Sequence, residues 1–180
     1  SAASDVYKRQ DKYLPRLFIM FENLTDVRQQ GKVTYDMKVI CVTRLFGLLC
    51  GLTTMNSLTN KFNNELTIET LSKITNTKLN DLPHYDTIND VFDDLNIEEL
   101  RKIQKYIVYT LIRSKMFDKF RYNGKFQLLI DGTGLVSFNQ KHCDHCLVRK
   151  HSDGHFSYEH HVLEAKLVFD SFVLSIDSEF

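Results

Sequence analysis

The hydrophobic pattern of this chain changes period once, at Asn123-Gly124, and that change constrains the fold more than any other feature. Before it, apolar residues recur at three- and four-residue spacing, the signature of amphipathic helices; after it, apolar runs are short and bounded by turn residues, the signature of strands. Leu17, Phe18, Phe21 and Leu24 mark a first helix, and Val39, Val42, Leu45, Phe46 and Leu49 a buried one that Gly51 and Thr53-Thr54 end. Ser57 to Asn63 reads as a short helix with Leu58 and Phe62 inward, and Thr67 to Ile74 as another. Pro83 punctuates a linker, after which Asp86 to Leu95 is helical, capped by Thr87 or Asp86. Asn96 with Glu99 three residues on resembles a capping box. It opens a helix with Leu100, Ile103, Ile107, Leu111 and Ile112 on one stripe, which could run to Phe120, about 36 Å at 1.5 Å per residue.

Phe126 to Ile130 then reads as a buried strand with Leu135 to Phe138 as its continuation, Asn139 to Ser157 as a loop, and Tyr158 to Phe169 as a second strand with Leu163, Ala165, Leu167 and Phe169 on one face. Asp170-Ser171 is a turn into a third strand, Phe172 to Ile176. Helices first and strands afterwards predict an α+β chain, with a helical domain over 11–122 and the start of a mixed α/β domain over 123–180. With 43% hydrophobic residues, the 180-residue chain can bury a core. No apolar stretch approaches the roughly 20 residues of a membrane span, and no secretory leader is visible, so the expected location is cytoplasmic and no membrane partner is expected.

Lysine plus arginine equals aspartate plus glutamate at 23 each, so only the distribution of charge is informative. Asp81 to Glu99 holds seven acidic residues and no lysine or arginine, whereas Arg101 to Lys125 holds eight basic residues against Asp118 alone. A basic block can follow a phosphate backbone; the same block also suits the C-terminal end of the long helix and balances the acids before it.

Two constellations carry chemistry. Asp131 follows the apolar strand and precedes Gly132-Thr133-Gly134, which places a carboxylate at the end of a stiff element with small residues beside it. Two-metal phosphoryl transfer needs carboxylates held in that way, with Mg²⁺ as the oxygen-loving ion; Asp-Gly is equally a turn signal. The second constellation gathers six of the seven histidines, from His142 to His161, around a CxxC. Cys143, Cys146, His151 and His155 follow a spacing close to that of a zinc knuckle, with His142, His145, His160 and His161 as rival ligands for a structural Zn²⁺. Cys41 and Cys50, in an apolar helix, read as small buried hydrophobes.

The stretches Leu82-Pro-His-Tyr-Asp-Thr-Ile88, the helix from Asn96, Leu129-Ile-Asp-Gly-Thr-Gly-Leu135, His142-Cys-Asp-His-Cys-Leu-Val-Arg149 and Tyr158-Glu-His-His-Val-Leu-Glu-Ala-Lys166 together resemble bacterial insertion-sequence transposases of the DDE class, over about Gly51 to Phe180. The resemblance implies an RNase H-like catalytic core begun at residue 123, with Asp131 as the first carboxylate and Mg²⁺ ligand of a two-ion site. It implies double-stranded DNA, both transposon ends and target, as partner, a homodimer as assembly, and a nucleoid-associated location. Asp170, Asp177, Glu159 and Glu164 lie in the wrong elements to be the remaining two acids, so the chain by itself is expected to be inactive. Leu52 to Phe62 falls where such transposases carry a DNA-contacting helical segment, although Lys61 is its one basic residue. The alternative from another class is a zinc-stapled nucleic-acid-binding module without catalysis. Finally, Ser1 to Gln10, SAASDVYKRQ, resembles a translated adapter from DNA sequencing libraries, and Val173 to Phe180 reads as a strand with no cap after it; both suggest a fragment.

Overall fold

The computed structural model of the protein describes residues 13–179, so the stretch read as adapter lies outside the described residues. The chain forms two compact units, Ser1–Ile103 and Gln104–Phe180. The period change at residue 123 marks where strands begin, whereas the division by compactness falls twenty residues earlier, inside the last helix.

In the first unit the α-helices are short, and polar side chains cap the N-termini of several of them. Helix α1 is Leu17–Glu22 and α2 is Met37–Leu49. Asp36 caps α2 by accepting from the Val39 amide at 2.8 Å. Gly51, at φ 78°, ends it: the Gly51 amide donates to Leu48 and the Leu52 amide to Gly47, both at 2.9 Å. That pair of bonds is a Schellman motif, which glycine adopts without steric penalty. Helix α3, Met55–Ser57, runs directly into a π-helical turn, Leu58–Phe62, with Leu58 and Phe62 buried. This turn and Asn63 after it hold the segment around Pro83: Thr59 Oγ1 accepts from the Tyr85 amide and Asn63 Oδ1 from the Leu82 amide, each at 3.1 Å.

Helix α4, Glu65–Thr75, is capped by Asn64, which accepts from the Thr67 amide at 3.0 Å. Helix α5 is Tyr85–Asp93 and its cap is His84, whose Nδ1 accepts from the Asp86 amide, in place of the expected Thr87 or Asp86. The cap lies two positions before Asp86 and three before Thr87, because the helix already starts at Tyr85 and the extended backbone of His84 leaves that residue outside it and free to cap it. The core of this unit is Val39, Ile40, Val42, Leu58, Leu71 and Ile88, all essentially inaccessible. Cys41 lies in it, and burial pushes its thiol up to about 12. Cys50, the C-cap of α2, is exposed, contrary to expectation, as are Leu48 and Leu49 before it.

Helix α6, Ile97–Arg113, begins as expected with Asn96, whose Oδ1 accepts from the Glu98 amide at 2.9 Å. Glu99 does not fold back to complete the box. Its carboxylate accepts from the Thr25 amide at 2.9 Å and the Thr25 hydroxyl at 2.8 Å, and thereby ties the segment after α1 to the first turn of α6. The helix also stops short of Phe120: Lys115 adopts φ 60°, and a separate 3₁₀ turn covers Asp118–Phe120.

The second unit is an antiparallel sheet of β1 (Gln127–Phe138), β2 (Leu147–Lys150), β3 (Phe156–Val168) and β4 (Val173–Glu179). Strand β3 is central. It pairs with β1 along one edge, from Gln127↔Val168 to Phe138↔Tyr158. Along its other edge β2 and β4 lie end to end: β2 pairs with residues Phe156 to Glu159 and β4 with Leu163 to Val168. The loop expected over 139–157 thus contains a strand, because Leu147, Val148 and Lys150 extend the ladder on β3. Burial follows the end of the sheet more than a face. Leu167 and Phe169 are buried but Leu163 is 54% exposed, while Val162 on the opposite face is buried. At that end Phe169 meets Phe117 at 4.7 Å, Phe120 at 5.6 Å, Phe126 at 6.0 Å and Phe172 at 4.6 Å between ring centres, an aromatic cluster of tilted and edge-on pairs.

Candidate metal centre

The connection from β1 to β3 carries the cysteines, and strand pairing decides which histidine meets them. Leu147 opposite Glu159 brings the end of the CxxC beside His160. The turn itself is closed by the Cys146 amide donating to the Cys143 carbonyl and the Cys143 amide donating to Cys146 Sγ, both at 3.4 Å. The two sulfurs stand 3.7 Å apart and each is 3.3 Å from His160 Nε2. Zinc bonds of about 2.3 Å to sulfur and 2.0 Å to nitrogen in a tetrahedron would set these separations at about 3.8 and 3.5 Å. The three ligand atoms therefore already sit close to the spacing that a tetrahedral ion requires. Among the described residues, Cys143, Cys146 and His160 are the one group of three or more His, Cys, Asp or Glu ligand atoms within 4.8 Å of one another.

Burial pushes the Cys146 thiol up, but amide donors from Cys143 and His142, the Cys143 side chain and the charge of Lys141 outweigh it and hold the thiol below its ordinary value. Such an environment favours thiolate, the form that binds metal.

His151 and His155 lie outside this group. With Lys150 opposite Phe156, both fall in the hairpin turn between β2 and β3. There their rings stack at 4.1 Å, His151 Nε2 is 2.8 Å from Ser157 Oγ, and His155 Nδ1 is 2.5 Å from Asp153 Oδ1. The linear spacing that suggested them is intact; the ladder carries them away from the cysteines and brings in His160, one of the rival ligands. The signal that would have found it was β2, a four-residue strand hidden in a polar segment.

Asp131 is an exposed residue in the middle of β1 and not at its end, because the ladder runs on through Gly132-Thr133-Gly134 to Phe138, with one irregularity between Gly134 and Val136. It stands opposite Glu164. Glu164 in turn receives Lys166 Nζ at 2.7 Å, and that bond, with a second from Ser175, holds its carboxyl below the ordinary range. Residues directly opposite share a face, and so do alternate residues of one strand. Asp131, Glu164 and His160 are therefore on one face, with the Cys₂His group four residues, or about 13 Å, along β3 from Glu164.

These positions can be set beside known proteins. Residues 18–106 match the DDE_Tnp_1-associated family. This domain is found in DDE-type transposases, so the match supports a transposase-related protein. The DDE_Tnp_1-associated region covers α1 to α5 and the first part of α6, and ends before Asp131 and the Cys₂His group. Neither a curated protein nor a solved structure matches the chain. No helix among the described residues is long and apolar enough to cross a membrane.

Proposed function

We propose that this chain is part of a DDE transposase, in which the helical unit assists assembly on transposon-end DNA and the sheet opens an RNase H-like catalytic core. The match of residues 18–106 carries the reading. In it Asp131 is the first carboxylate of the site, held on a paired strand with glycine on one side to admit a bulky substrate. Divalent ions such as Mg²⁺, when bound, would stabilise the charge that develops on phosphorus during attack by water or a 3′-hydroxyl. Asp131 alone does not build such an ion site: Glu164 across the ladder is engaged by Lys166. The partner in this reading is double-stranded DNA and the working assembly a homodimer. The test is a cleavage assay on the whole protein with duplex DNA from the ends of its own element. Asp131→Ala should still bind the duplex and fail to cut it; cutting at the parental rate would refute the assignment.

The Cys₂His group supports zinc in a structural role, since it staples the β1–β3 connection and lies along the sheet from Asp131. The same group sustains a second reading, a zinc-stapled nucleic-acid-binding module. In that case duplex binding by this chain should fall with salt and with loss of zinc, and be indifferent to Asp131→Ala.

A further inference from the structure

We propose that His145 is the fourth ligand of a zinc ion held by Cys143, Cys146 and His160, an inference that rests on the zinc reading of that group. Structural zinc is four-coordinate and tetrahedral, and the group supplies three ligand atoms. The other nearby histidines are engaged elsewhere. His142 stacks on Phe138 at 4.7 Å, His151 and His155 stack on each other, and His161 Nε2 is 3.2 Å from Glu159 Oε2. Strand alternation also turns His161 to the face opposite His160.

His145 is left. It lies in the turn between the two cysteines, is exposed, and makes no hydrogen bond, ion pair or ring contact among the described residues. It lines the cavity beside the cluster, together with Cys143, Leu147, His160 and His161. It thus lines the same cavity as Cys143 and His160, and a side-chain rotation in an exposed turn breaks no existing bond. Charge agrees: two thiolates neutralise Zn²⁺, so a fourth ligand without charge keeps a half-buried centre neutral, which imidazole does and a carboxylate would not.

The experiment loads the full chain with Zn²⁺ and separately with Co²⁺, and measures stoichiometry by elemental analysis, affinity by chelator competition, and the cobalt absorption spectrum. One zinc per chain is expected. His145→Ala should weaken binding by more than the roughly 10–100-fold that loss of an outer-shell partner costs, and change the cobalt spectrum, while His161→Ala does neither. His145→Cys keeps a ligand and should retain zinc with added thiolate-to-cobalt absorption, which covers the case in which the alanine variant does not fold. Wild-type zinc binding with unchanged affinity and spectrum in His145→Ala, or no added thiolate absorption in His145→Cys, overturns the assignment of His145. A folded wild-type chain that binds neither metal overturns the zinc reading itself.

Discussion

Gly47, in the last turn of α2, has no room for a side chain. A methyl placed on its Cα would stand 2.1 Å from Leu58 Cδ2, a side chain only 2% exposed. Carbon atoms in contact ordinarily stay about 3.5–4.0 Å apart, so Leu58 would have to retreat by roughly 1.5 Å. Leu58 is buried and has little space into which to move, and overpacking of this kind costs about 1–3 kcal/mol. Against it stands the helix preference of alanine over glycine, about 0.8–1.0 kcal/mol. Gly47→Ala is therefore expected to destabilise the unit by about 1 kcal/mol net. In a Leu58→Ala background, which itself costs about 2–5 kcal/mol, the clash is gone and the same substitution should stabilise by up to about 1 kcal/mol. The assay is urea unfolding followed by far-ultraviolet circular dichroism on the parent, both single variants and the double. A change of sign between the two backgrounds, a coupling of about 2 kcal/mol, is the expected result. If Gly47→Ala has the same sign and size in both, the close approach of α2 to the π-helical turn is refuted.

Two further substitutions test how the helices are fixed. The Thr25 amide and hydroxyl hold the Glu99 carboxyl below its ordinary value of 4.5, so its contribution is fully present above that pH and is lost as pH falls through the lower folded value; Glu99→Gln should flatten this acid-side loss when unfolding is measured across pH. Asn64→Ala should cost about 1 kcal/mol through loss of the α4 cap, with Asn64→Asp close to neutral, in the same denaturation assay.

The helices were legible because their signals are local. Gly51 ends α2, and Asn96 opens α6, by side-chain and backbone chemistry that needs no distant partner. What the sequence hid was set by partners far along the chain. Glu99 looked like half of a capping box until Thr25, 74 residues away, took its carboxylate. His160 was one rival among several until β2 paired with β3 and delivered Cys146 to it. Asp131 looked like a strand end because Asp-Gly-Thr-Gly is turn chemistry, and the cross-strand partners Glu164 to His161 overrode it.

The end-to-end placement of β2 and β4 on β3 leaves a seam. Among the described residues, β2 reaches β3 as far as Glu159 and β4 as far as Leu163, which leaves His160 and His161 between the two ladders. A hydrogen-bond ladder transmits cooperativity rung by rung, so along this edge β2 and β4 act on each other through β3 and not through a ladder of their own. The cysteines reach across to His160 within that seam. A bound ion there would act as a rivet at the discontinuity, joining the shorter ladder to the body of the sheet at the point where the backbone leaves it unjoined.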